Sequence, residues 1–278
     1  MNDIRPLAVV TGASSGIGFE LARQLAERGF DLVINAEDDE RLQASARDIR
    51  QTGAAVETVR ADLRRSEEIE RFYGAVTARG RPVAVAVLNP GVGRGGPFVD
   101  TDLADELETV DLTVRSTVHL AQRVLRDMVS DGAGHVLVTS SIASTVPGSF
   151  QAVSHASKSF VQTFAQALRE ELKDTGVTVT SLVPGPTDTG FFRRAGMEGA
   201  AVGRQYEDAP ADVARQGLDA LFAGKDTIVG GSLKTGGSLK TKVQGLAGKV
   251  LPDRATAQIH RKTAEPGSGD ARPAEERS

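Results

Sequence analysis

This chain has no cysteine and no tryptophan, and it carries only two tyrosines and four histidines. Without cysteine there is no disulfide, no thiolate nucleophile and no Cys-ligated metal. His119, His135, His155 and His260 are scattered, with no two at metal-ligand spacing, so no metal site is expected. No apolar run approaches membrane-spanning length. Residues 1–6 lead straight into an apolar strand pattern, without the charged and apolar regions of a signal peptide. Lys and Arg number 33 against 37 Asp and Glu, a net charge of −4, which gives no electrostatic reason to expect nucleic acid or an anionic membrane as partner. A Gly-x-Ser-x-Gly elbow is missing too, so serine hydrolysis has no support. The expectation is a cytoplasmic protein with a small-molecule substrate.

What the sequence has is alternation. Short apolar runs at 7–11, 32–35, 56–59, 83–88, 135–140, 177–183 and 227–229 read as strands. Between them, 16–28, 39–51, 66–78, 102–129, 150–173 and 211–223 carry helical spacing. Strand-helix alternation means parallel strands with crossover helices. The strands are rich in Val and Leu without polar alternation, as in strands covered on both faces. The expected fold is α/β, a Rossmann-type doubly wound parallel sheet in a single domain over residues 1–230. Beyond Gly230 the composition shifts. Gly-Gly-Ser-Leu-Lys-Thr occurs in tandem at 230–235 and 236–241, a loop duplication rather than a solenoid. Residues 231–278 read as a largely flexible extension, with a short helix within 242–264.

Thr11, Gly12, Ala13, Ser14, Ser15, Gly16, Ile17 and Gly18 follow the first strand and open the first helix. The glycines allow a tight turn and close backbone approach, and the helix N-terminus offers free N–H groups to a pyrophosphate. An acidic residue about 20 positions on, Glu37, sits after the second strand, where a carboxylate takes ribose hydroxyls and repels a 2′-phosphate. The other reading of Glu37 is a solvated charge in the acidic run 37–40. No Arg or Lys lies in the turn or at 35–40, so NAD is favoured as cofactor and NADP is not excluded.

The glycine turn, Asp62, the Asn89-x-Gly91 pair and paired serines ahead of a lysine together resemble the short-chain dehydrogenase/reductase family, over about residues 5–230. The resemblance implies that Asp62, with Leu63 beside it, meets the adenine, and that Asn89 and Gly91 flank the cofactor at the central strand. It also implies that Pro184, Gly185, Thr187 and Thr189 meet the nicotinamide end. The family's active site is an Asn, Ser, Tyr and Lys set in which Tyr, four residues before Lys, moves the proton. Lys lowers the phenol's pKa and holds the ribose, Ser orients the substrate and Asn holds a relay water.

On this chain the Lys is Lys158 and the Ser is Ser141, thirteen residues before the Tyr position. The Tyr position is Ser154 and the Asn position is Asp111. Pro90 stands where the family usually has Ala, removing a donor and restricting Asn89. A serine hydroxyl is a far weaker acid than a phenol and lies nearer the backbone, so a water between Ser154 and Lys158 is the available substitute. Tyr73 falls in the third helix, remote from the site by the resemblance, and Tyr206 in the variable substrate loop, the one other phenol able to reach in. Asp111 falls on the apolar stripe of Leu107, Val114, Val118 and Leu125, where a lone carboxylate is costly. It reads as a site residue pairing with Lys158, or as a half-exposed kink residue. His155 reads as helix surface.

Three functions follow: an oxidoreductase of an alcohol or carbonyl, weakened at Ser154 and Asp111; a dinucleotide-binding protein that has lost catalysis and serves a partner; and a non-redox reaction on the same scaffold. The loop 191–208, with Phe191, Phe192 and Met197, points to an apolar substrate pocket. Phe160, Phe164, Leu168 and Leu172 form a stripe on one long helix, and by the resemblance such helices pair protomers, so a homodimer or homotetramer is expected.

Overall fold

Seven runs of β-branched and apolar residues become seven strands: β1 (Leu7–Val10), β2 (Asp31–Ala36), β3 (Val56–Arg60), β4 (Val83–Leu88), β5 (Gly134–Thr139), β6 (Val177–Pro184) and β7 (Thr227–Gly230). The structure is a computed structural model and describes residues 5–89, 91–187, 208–231 and Arg261. The strands form one sheet in the order β3-β2-β1-β4-β5-β6-β7. Every pairing is parallel. The order reverses between β1 and β4, and the crevice beyond the carboxyl ends of those two strands is where open α/β sheets take ligands.

Helices α1 (Gly16–Glu27), α2 (Asp39–Arg50) and α7 (Pro210–Phe222) cover one face, and α3 (Ser66–Thr77), α5 (Ser116–Asp131) and α6 (Ala152–Glu171) cover the other. Side chains alternate along each strand, so β1 alone feeds both cores. Ala8 and Val10 join Leu21, Leu25, Leu42 and Leu218, while Leu7 and Val9 join Ile69, Phe72, Leu120 and Val161. Both strand faces are buried, which is why the strands read as continuous apolar runs.

Two expected helices change shape. The span 102–129 divides into α4 (Leu103–Val110), a π-helical turn at Asp111–Arg115, and α5. Asp102 caps it from outside, its side chain accepting from the Ala104 N–H at 2.7 Å. The other span starts at Ala152 rather than 150, because Phe150 has a φ of +63° and Gln151 is the non-helical cap. Phe150 is the only non-glycine residue with positive φ among the described residues. Its carbonyl accepts from the Gly96 N–H at 2.8 Å, which ties the loop after β4 to the loop before α6. Pro90, Thr189, Phe191, Phe192, Met197, Tyr206 and the second hexapeptide copy lie outside the described residues. So does the extension beyond Gly231, apart from Arg261.

Candidate functional site

The glycine turn is built by what its residues lack. Gly12 and Gly16 take φ values of +65° and +56°, which a side chain would oppose. A Cβ on Gly18 would stand 2.1 Å from the Gly12 carbonyl oxygen and 2.7 Å from the Asn89 amide nitrogen. A Cβ on Gly12 would stand 2.7 Å from the Asn89 carbonyl oxygen. The turn is pinned from beneath. The Thr11 N–H donates to Val87 O at 3.0 Å, and the Asn89 N–H donates to the Thr11 hydroxyl at 2.9 Å. The Ala13 N–H donates to Asn35 O at 2.9 Å, and the Asn35 amide donates to Val59 O and Ala61 O. Thus the carboxyl ends of β1, β2, β3 and β4 are laced together around the turn. Ser15 caps α1 with extended backbone but makes no side-chain cap bond, so it satisfies none of the first-turn N–H groups. Ser14 and Ser15 are half-buried, and Ile17 packs on the first core. A cradle that any Cβ would fill, at an uncapped helix N-terminus on the sheet's switch point, fits a pyrophosphate.

At the next strand ends the structure adds a residue that sequence reasoning missed. Arg64, in the loop between β3 and α3, bonds three carboxylates at once. Its guanidinium donates to Asp62 at 2.7 Å, to Glu108 at 3.0 Å, and to Glu37. Asp62 also accepts the Arg64 N–H at 3.0 Å, and Arg64 holds its carboxyl below the usual range against the opposing cost of burial. The expectation that Glu37 has no cation beside it is therefore corrected. Ala36 pairs with Arg60 in the β2–β3 register, so the residues just past both strands are neighbours, a nearness that the strand register supplies. Leu63, between them, is buried in the second core.

Beyond β5 the chain turns through Ser140 and Ser141 into a 3-10 turn at Ile142–Thr145 and then α6. Ser140 is buried, its hydroxyl donating to Lys158 O at 3.2 Å. The Ser141 hydroxyl accepts from the Ala143 N–H at 3.2 Å. Ser154 and Lys158 lie one turn apart on α6, both buried. The Lys158 ammonium donates to Thr139 O at 3.1 Å, and burial pushes its pKa down to about 8. The Ser154 hydroxyl is buried and has no hydrogen-bond partner, and the hydroxyls of Thr113, Thr139 and Ser144 share that condition. On β6 and the loop after it, Thr187 donates to Gly185 O at 2.9 Å and bridges Asp208. Pro184 ends the strand, and Gly91 has open space around it.

Two expectations fail here. Asp111 pairs not with Lys158 but with Arg115, at 3.0 Å and one turn ahead on its own helix. Asp111 opens the π-helical turn with a partly exposed side chain, as the kink reading had it. His155 is not helix surface. It is 6% exposed, its Nδ1 lies 3.0 Å from Val146 O, and burial pushes its pKa down. Its ring fills the space against Gly148, where a Cβ would come within 2.2 Å.

The sequence matches the short chain dehydrogenase family over residues 6–198. The chain belongs to that family, and it is similar to reductases of carbonyl compounds. Its relatives include sulfoacetaldehyde reductase 2 of Chromohalobacter salexigens, 32% identical over 225 residues, which are 80% of this chain and 88% of that protein. Among solved structures it is similar to a short-chain dehydrogenase from Sphingobium yanoikuyae in complex with NADPH. That likeness has a TM-score of 0.77 and 27% identity, and covers 88% of this chain and 93% of the other. A variant of actinorhodin polyketide ketoreductase with NADPH gives a TM-score of 0.72 and 27% identity, covering 81% and 95%.

Proposed function

We propose that this protein binds a nicotinamide dinucleotide at the switch point of its sheet and that its turnover of carbonyl substrates is weakened by the loss of a phenol at position 154. The bound nucleotide supplies hydride exchange. Gly12, Gly16 and Gly18 admit the phosphates, and Asn89 and Gly91 line the crevice beside them. Lys158 offers a buried ammonium, and Ser141 offers a hydroxyl to orient a substrate oxygen. Position 154 then has to move the proton.

The observation that carries the reading is the Ser154 hydroxyl, buried and unbonded, with no phenol to replace it among the described residues. The one tyrosine among them, Tyr73, bonds Asp127 between α3 and α5, and burial with that carboxylate pushes it up to about 12. It stands outside the site and is the wrong acid for neutral pH. The same buried hydroxyl favours the second reading, a nucleotide-binding protein serving a partner, if turnover is nil.

The test is nucleotide oxidation with a panel of aliphatic and aromatic carbonyls, parent against Ser154→Tyr. General acid–base catalysis contributes about 10²–10⁴-fold, so the variant is expected to gain on that order. A parent already as fast as ordinary family members would overturn the weakening. Of the two nucleotides, Glu37 favours NAD(H), while Arg64 brings a cation able to take a 2′-phosphate, so both are expected to bind.

The protein is also proposed to self-associate through the α4–α6 side. Leu107, Val118 and Phe160 are 53%, 38% and 42% exposed there, while Phe164, Leu168 and Leu172 pack inward. Light scattering at micromolar concentration should give a dimer or tetramer mass.

A further inference from the structure

Arg64 stands between the two carboxylates assigned to the adenosine end of the cofactor, Glu37 and Asp62. Its three guanidinium nitrogens are shared among three elements: Glu37 after β2, Asp62 after β3 and Glu108 on α4. One guanidinium thus serves three carboxylates. The three grips are unequal. Asp62 takes both the side chain and the main-chain N–H of Arg64. Glu37 is 62% exposed and Glu108 46%. The ion pairs to those two are surface pairs of small worth and are the ones that a stronger anion can exchange. A phosphate dianion is such an anion, because guanidinium binds it through two parallel hydrogen bonds with more charge than a carboxylate carries.

We infer that Arg64 is the residue that sets this protein's choice between NADP(H) and NAD(H): it gives up Glu37 to hold a 2′-phosphate, and it keeps Glu37 in place when the ribose carries a free hydroxyl. The inference rests on the dinucleotide reading above and deepens it. Glu37 alone rejects a 2′-phosphate; with Arg64 beside it, the same position serves either nucleotide. Arg60 also donates to the Glu37 carbonyl oxygen at 3.2 Å, which holds that main chain while the side chain exchanges.

The test is titration of the full-length protein with NADH and NADPH by nicotinamide fluorescence, and with ADP-ribose and its 2′-phosphate by calorimetry. Parent, Arg64→Gln and Glu37→Gln are compared. Arg64→Gln is expected to raise the ratio of the NADPH to the NADH dissociation constant by about tenfold, and Glu37→Gln to lower it by a similar factor. The two adenosine fragments should show the same shifts without the nicotinamide, which separates this end of the site from position 154. A ratio unchanged in Arg64→Gln, with both constants moving together, overturns the inference and leaves dinucleotide binding standing. If Arg64→Gln fails to fold, a ratio unchanged in Glu37→Gln overturns it equally. Failure of the parent to bind either nucleotide overturns the dinucleotide reading and the inference with it.

Discussion

The glycine turn and the segment from Thr139 to Lys158 lie at the same end of the sheet, yet what each asks of its residues differs. The turn is made of main chain. Its requirement is negative, that no Cβ stand at Gly12 or Gly18, and every glycine that the geometry needs is present. On the proposed reading, the second region needs one positive property, a side chain of suitable pKa at one point, and there a buried serine stands unbonded, with Lys158 one turn further along its helix. Recognition built from backbone is lost only when something is added. Proton transfer is lost when one group is removed, with the fold around it unchanged. The two regions can therefore part company in one chain, and binding without efficient turnover is the expected result.

The largest effect is the gain expected of Ser154→Tyr, which on the proposed reading supplies the acid that position 154 lacks. The next largest breaks the other side of the comparison. Gly18→Ala places a Cβ against the Gly12 carbonyl and the Asn89 amide, and the backbone has to move. Overpacking of this kind costs about 1–3 kcal/mol, so nucleotide binding should fall by about ten- to a hundredfold. The control is Gly74→Ala on α3, where a Cβ meets nothing within 4 Å. It should leave binding alone and raise stability by about 0.5–1 kcal/mol, from helix propensity. Fluorescence titration and thermal melts of both variants check this. Unchanged binding in Gly18→Ala would mean that the cradle is not the nucleotide site.

Much of this was legible in the sequence, for reasons that differ by residue. The seven strands were visible because both faces of the sheet are buried, so Val9 and Val10 are apolar alike although they feed opposite cores. Gly12 and Gly18 were visible because only one residue type does their work. Arg64 was not, since its partners come from Glu37 and Glu108, far apart in sequence, and only the parallel β2–β3 register and the placement of α4 bring them together. Asp111 misled because an apolar stripe predicts burial for every member. The π-helical turn that begins there leaves its carboxylate partly exposed, beside Arg115. The late start of α6 depended on the φ of Phe150, which no propensity encodes.

A third, smaller effect sharpens the lysine's part. Burial holds Lys158 at about 8 against its ordinary 10.5. The depressed value means that the folded state gives up this proton first. Below pH 8 the lysine is charged in both states and its burial cost is fully present. As pH rises from 8 toward 10.5 the folded lysine is neutral while the unfolded one is still charged, so stability rises, by roughly 3 kcal/mol over the whole window. Tyr73, pushed the other way to about 12, begins to oppose this above pH 10. Denaturant unfolding between pH 8 and 10 should therefore show stability rising more steeply in the parent than in Lys158→Met. Equal slopes would mean that the ammonium is solvated rather than buried.

The smallest expected effect belongs to Asp111→Asn, and its smallness is what makes it decisive about the site. Were Asp111 the counter-charge of Lys158, its removal would leave a buried ammonium unpaired, push the lysine's pKa further down and move the pH window of the preceding experiment. The structure gives the carboxylate to Arg115 instead, at 3.0 Å, with side-chain exposures of 29% for Asp111 and 57% for Arg115. An exposed pair at this spacing on a helix is worth about 0.3–0.5 kcal/mol. Asp111→Asn should thus cost no more than that in unfolding free energy, leave the rise between pH 8 and 10 unchanged, and alter the activity of Ser154→Tyr little when the two are combined. A window displaced to lower pH in Asp111→Asn would put the carboxylate back beside Lys158. The proposed weakening would then rest on positions 111 and 154 as a linked pair rather than on position 154 alone.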